Sequence, residues 1–137
     1  MPRSSSRLCQ YPVDEQTPCH APASGEYVCS THSQAYFESY QRYKDAADYA
    51  DALSAAAQLE PRKVRELHRA EVKFRLEDVD AYIVAREREK TLRIEHGWSF
   101  FGGKPDEGHR ARLQWIEQQL EHSRNILRLL QSRLSSL

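Results

Sequence analysis

The chain has 137 residues, with 20 basic and 20 acidic side chains and a hydrophobic content of 39%. A formal net charge of zero directs it to neither nucleic acid nor membrane on bulk charge, and no run approaches the roughly 18 apolar residues of a transmembrane helix. The length suits one domain with an appendage. Its apolar residues are largely Ala and Leu, β-branched residues are scarce and nothing alternates with period two, so the expected class is mainly α, in long helices or coiled coils.

Residues 1–8 are polar, with Arg3, Arg7 and three serines, and are expected to form a disordered arm. The opening lacks the apolar stretch of a signal peptide, which points to an intracellular, reducing compartment where clustered cysteines more often bind metal than form bridges. Residues 9–32 hold Cys9, Cys19 and Cys29, all the cysteines of the chain, with His20 and His32, in the spacing C-x9-C-x9-C-x2-H. Three thiols and an imidazole make a Cys3His set suited to one tetrahedral structural zinc. Cys29 and His32 stand three residues apart and can face one ion from the first turn of a helix. Leu8, Tyr11, Val13, Tyr27 and Val28 are too few for a core of their own, whereas zinc would supply roughly 10 kcal/mol of folding energy. The plainer reading is three unrelated thiols, since a disulfide leaves one cysteine over. His20 is the alternative fourth ligand, although ligands adjacent in sequence strain the backbone. Its ordinary role is an exposed loop histidine.

This stretch resembles the Cys3His zinc motif of chromatin-complex subunits, as in subunit 2 of the non-specific-lethal acetyltransferase complex and the D-type subunit of INO-class remodellers. The resemblance rests on Cys9, Tyr11, Pro18, Cys19, the Ala-Pro-Ala of residues 21–23, Gly25, Tyr27, Cys29 and His32, and covers residues 9–32 only. It implies a zinc-binding module in a nuclear complex, with Cys9, Cys19, Cys29 and His32 as ligands and a possible DNA-binding role. Charge strains against that last implication: Arg3 and Arg7 face Asp14, Glu15 and Glu26, a net of −1 over residues 1–32, and three thiolates with one zinc ion take it to −2.

The first helix is expected over residues 32–59, capped by Ser30 or Thr31. Tyr36, Tyr40, Tyr43, Ala47 and Ala50 share a face, widened by Phe37, Tyr49 and Leu53, with Glu38, Asp45, Asp48 and Asp51 opposite. The tyrosine stripe reads as packing surface for the next helix, or else as a recognition surface. Pro61 suits a first helical turn, so a second helix is expected from residue 61 to 96, stopped by Gly97. Val72, Leu76, Val79 and Ile83 form its seam, flanked by Val64, Leu67, Phe74 and Tyr82. Residues 97–104, GWSFFGGK, form a turn, not a phosphate loop: Lys104 stands too late and Pro105 follows it. Trp98, Phe100 and Phe101 either plug the helical hairpin or form an aromatic docking tip. The third helix is expected over residues 105–135. Its seam of Leu113, Ile116, Leu120, Ser123, Leu127, Leu130, Leu134 and Leu137 has 3-4 spacing. Trp115, Ile126 and Leu129 lie off that seam and suggest a further helix, from this chain or another. The expected fold is therefore a small Cys3His zinc knuckle followed by three helices, the last two in a long antiparallel coiled-coil-like hairpin.

Catalysis is not expected. His68, His96, His109 and His122 are scattered without a nucleophile context, and a full Cys3His set leaves zinc no open position. Glu77, Asp78 and Asp80 read as a solvated or salt-bridging face. The basic surface is residues 61–75, where Arg62, Lys63, Arg65, Arg69, Lys73 and Arg75 outnumber Glu66 and Glu71 for a net of +4. Arg62, Arg65, Arg69 and Lys73 recur at helical spacing, a stripe for nucleic acid or an acidic partner unless it pairs with the acidic first helix. The expected function is a non-enzymatic zinc-binding scaffold subunit of a nuclear chromatin-modifying or remodelling complex, binding other subunits through Leu113, Ile116, Leu120, Leu127, Leu130 and Leu134. The alternative is direct binding to DNA or the nucleosome through the basic stripe. No membrane or small-molecule substrate is expected.

Overall fold

The computed structural model describes residue 29 and residues 31–100 and 107–137. Among these the protein is mainly helical, with no strand. Three long helices, α1 (Ser33–Ala57), α2 (Arg69–Phe100) and α3 (Glu107–Ser136), are joined between α1 and α2 by a 3₁₀ turn at Pro61–Glu66. The expected disordered arm, the segment containing Cys9, Cys19 and His20, the Ser30 cap and the end of the aromatic turn at Phe101–Lys104 lie outside the described residues.

α1 is rich in alanine, the best helix former, and buries Ala46, Ala47, Ala50 and Ala57. His32 stands at its N-cap, its carbonyl accepting the Tyr36 N–H at 3.1 Å. Thr31, the other expected cap, precedes it in a turn. At the other end Arg75 Nη1 donates to the Ala56 carbonyl at 2.9 Å, satisfying one of the acceptors a helix C-terminus leaves open.

The expected second helix is two elements. Pro61 starts only the 3₁₀ turn, which is flanked by extended backbone at Glu60 and Leu67. The α-helix proper then starts afresh with His68 as N-cap. The His68 carbonyl accepts the Val72 N–H at 2.9 Å, and Glu71 Oε1 accepts the His68 N–H at 3.2 Å. That is half of a capping box, and Leu67 and Val72 occupy the two positions of a hydrophobic staple. Arg133 donates Nε and Nη2 to the Leu67 carbonyl, at 3.3 and 3.1 Å, which holds the break open.

Gly97 does not end α2, contrary to its reading as a stop. The helix runs on to Phe100, which is 2% exposed and stacks edge-on to Tyr36 at 5.2 Å between centroids. A mid-helix glycine costs ~1 kcal/mol, and the burial of Phe100 outweighs that.

Contacts divide the described residues into two compact units, those up to Lys44 with those of Lys90–Leu113, and Asp45–Glu89 with Gln114–Leu137. The first unit centres on Tyr36, Tyr43, His96, Phe100 and His109. The second has an aliphatic core that includes Val64, Val72, Val79, Ile83, Ile116, Leu120, Ile126 and Leu130, all buried. Within it α2 and α3 run antiparallel: Arg69 meets the Leu137 carbonyl, Leu67 meets Arg133 and Glu87 meets Arg124. No helix among the described residues is long and apolar enough to cross a membrane.

Leu120→Ala is expected to destabilise the protein by about 3 kcal/mol, because its fully buried side chain leaves a cavity. Phe74→Ala, at a position 69% exposed, is expected to change stability by less than about 0.5 kcal/mol. Urea unfolding followed by circular dichroism checks both.

Candidate functional site

Cys29 and His32 are the two expected zinc ligands among the described residues. Cys29 is buried. Its carbonyl accepts the His32 N–H at 3.1 Å, and this turn brings Cys29 Sγ to 3.3 Å from His32 Nδ1. Metal–ligand lengths of ~2.3 Å for sulfur and ~2.0 Å for nitrogen at a tetrahedral angle put such a pair about 3.5 Å apart. The thiol and imidazole therefore fit two corners of a zinc tetrahedron, at the entrance to α1. Cys9, Cys19 and the alternative ligand His20 lie outside the described residues. Among the described residues, no three metal-ligating side chains cluster.

The basic residues do not form one stripe on one helix. Arg62 and Arg65 sit in the 3₁₀ turn, Arg69 is the first residue of α2, and Lys73 follows one turn later. The break at Leu67–His68 cancels the helical spacing that joined them in sequence. Arg62 Nε pairs with Glu60 Oε2 at 2.9 Å, and Arg69 Nη2 donates to the Leu137 carbonyl. The side chains of Arg62, Arg65, Arg69 and Lys73 are exposed.

The leucine seam belongs largely to the protein's own core. Ile116, Leu120 and Leu130 are fully buried, Ser123 is buried, and Leu113, Leu127 and Leu134 are half-buried. Leu137 is exposed. Ile126, read as off the seam, is fully buried too. The inward stripe of α3 is therefore wider than a coiled-coil seam, and its buried members are closed to a partner helix.

Sequence reading missed two buried polar centres. In the second unit Arg86 and Glu89 have no solvent exposure. Arg86 donates Nη1 to Glu89 Oε1 at 2.6 Å, Nη2 to Asp51 Oδ1 at 2.9 Å and Nε to Tyr82 Oη at 3.1 Å. Its guanidinium also lies 4.8 Å from the centre of the Trp115 ring. Burial alone lowers the Arg86 pKa, but the hydrogen bonds to Glu89, Tyr82 and Asp51 outweigh it and the net shift is upward. One sequence signal pointed here: the seam of Val72, Leu76, Val79 and Ile83 has Arg86 as its next position.

In the first unit His96 is fully buried. It packs against Tyr36, Tyr43 and Phe100 at 4.8–5.0 Å between ring centroids, with His109 at 6.4 Å. His96 Nδ1 is 2.9 Å from Ser39 Oγ. His109 Nε2 donates to the Arg93 carbonyl at 2.8 Å, and the Arg93 guanidinium lies 4.4 Å from the centre of the Tyr43 ring. A serine bonded to a histidine is the start of a nucleophile–base pair, but no face of this imidazole reaches solvent, so the geometry is that of a packed core. Burial, then the charges of His109 and Arg93, push the His96 pKa down to about 4.

Comparison with known protein families, curated proteins and solved structures finds no match to this chain.

The lowered His96 pKa makes acid destabilising. The unfolded imidazole, with a pKa of about 6.5, binds its proton before the folded one does, so stability is complete above pH ~6.5 and falls as pH drops toward 4. His96→Gln is expected to flatten this slope between pH 6.5 and 4 while lowering stability at neutral pH. Urea midpoints across that range, wild type against variant, check it.

Proposed function

We propose that the protein is a non-enzymatic, zinc-stabilised helical scaffold that docks other subunits of a nuclear chromatin complex. The observation that carries the reading is the Cys29–His32 pair, a buried thiol 3.3 Å from an imidazole on the turn that enters α1, in a chain whose other two cysteines precede it at regular spacing. Cys9, Cys19, Cys29 and His32 would hold one zinc ion. Such an ion supplies cross-linking: it ties the residues before α1 to the start of that helix and leaves no open position for a substrate. The nuclear and chromatin parts of the proposal come from the resemblance of residues 9–32.

Docking belongs to surfaces other than the buried members of the leucine seam. Phe37, Tyr49, Phe74, Val84 and Trp98 are each at least 60% exposed, and large exposed apolar side chains are what partner subunits cover.

A second reading, direct binding to DNA, keeps one observation in its favour: Arg62, Arg65, Arg69 and Lys73 are all exposed. It requires Arg65→Glu with Lys73→Glu to weaken binding to duplex DNA and to reduce its salt dependence.

Protein purified without added metal is expected to hold one zinc per chain by elemental analysis. Cys19→Ser with Cys29→Ser is expected to lose the metal, along with amide protection at the start of α1. Absence of zinc from the wild-type protein overturns the proposal.

A further inference from the structure

The second unit carries a groove of about 580 Å³ where the link between α1 and α2 passes over α2 and α3. The volume is inside the range of about 300–1,000 Å³ typical of ligand clefts. Its chemistry is mixed in an ordered way. Lys63 and Arg75 put two cations on its wall, and His122 adds an imidazole. Gln58 and Gln119 add two primary amides, each able both to donate and to accept. Leu59 and Pro61 supply apolar lining. Glu60 is the lone acid of the lining, and Arg62 pairs with it at 2.9 Å.

Local contacts hold two of its lining residues. The Lys63 N–H donates to the Glu60 carbonyl at 3.0 Å within the 3₁₀ turn, which Val64 anchors in the core at 3% exposure. Arg75 is held in place through one of its five N–H donors by the Ala56 carbonyl.

We infer that this groove binds a short acidic peptide segment of a partner protein. Amide side chains match the alternating donors and acceptors of an extended backbone, the cations match its carboxylates, and Leu59 and Pro61 suit one uncharged side chain. Nucleic acid fits less well. A phosphate backbone calls for cations in series, whereas Glu60 lines this wall and Glu66 and Glu71 interrupt the basic segment beside it. The inference rests on the reading of the chain as a protein-docking module but not on its zinc stretch, because every lining residue falls between residues 58 and 122.

The full-length protein is titrated into a short fluorescein-labelled peptide of aspartate and glutamate with one central leucine, and binding is followed by anisotropy. A lysine peptide of equal length, inorganic phosphate and a short duplex DNA serve as competitors. Saturable binding is expected, with amide shifts confined to residues 58–63, 75 and 119–122. Lys63→Glu is expected to weaken it about tenfold. Arg88→Glu, the same charge change on an exposed side chain outside the groove, is expected to leave it within about twofold. Three results each overturn the inference: no saturable binding, equal losses in the two variants, or displacement of the peptide by the duplex DNA. A protein without zinc that still binds the peptide would sink the zinc scaffold and leave the groove standing.

Discussion

Arg86 is a full positive charge removed from water, and the second unit is arranged to compensate it. Desolvating a guanidinium costs several kcal/mol unless its donors are met. Here Glu89, equally buried, takes one side of the fork, Asp51 another and Tyr82 the Nε, while Trp115 faces the delocalised charge. These partners come from three helices: Asp51 from α1, Tyr82 and Glu89 from α2 and Trp115 from α3. An aliphatic core tolerates sliding of one helix along another, because any turn of leucines fits another turn approximately. A buried charge with directional hydrogen bonds does not. Tyr82, Arg86 and Glu89 move together on α2, so a one-turn shift of α1 would cost Arg86 its bond to Asp51 and a one-turn shift of α3 its contact with Trp115, and these two links specify a register that the aliphatic residues only favour.

The side chains of α1 make that arrangement reachable. Ala46, Ala47 and Ala50 present almost no bulk on its inward face, so a backbone can come close enough for the short side chain of Asp51 to reach Arg86. In the first unit α1 does the opposite. Tyr36 and Tyr43 bring rings to His96 and Arg93, and their hydroxyl groups suit a half-wet boundary. One helix thus serves two unlike packing problems, small residues against a buried ion pair and aromatic residues against a buried imidazole.

Arginines do much of the work of ending elements. Arg75 serves the last turn of α1, Arg133 serves the break before α2 and Arg69 serves the Leu137 carbonyl. Each places a charge-assisted donor on a carbonyl that the helical ladder leaves open. This explains why a basic segment beside an acidic helix need not be a nucleic-acid surface: part of its charge is engaged in capping. Of the exposed cations of that segment, Arg62, Lys63 and Arg65 stand on the 3₁₀ turn and Arg69 and Lys73 on α2, so they do not form one row along a helix face.

The mainly helical class and the approximate spans of α1 and α3 were legible in the sequence. Both follow from local causes, alanine and leucine content and apolar spacing. The inward stripe of α3 was visible in outline for the same reason. The break at Leu67–His68 was not, although Glu71 carried the capping signal, because a helix start inside a helical pattern is recognised only when a carbonyl there finds a partner, and that partner is Arg133, 66 residues away in sequence. The passage of α2 through Gly97 depended likewise on a pocket for Phe100 supplied by Tyr36. Buried charge is the clearest case. Arg86 and Glu89 look like surface residues one at a time, and only tertiary structure, by bringing Asp51, Tyr82 and Trp115 around them, makes their burial affordable.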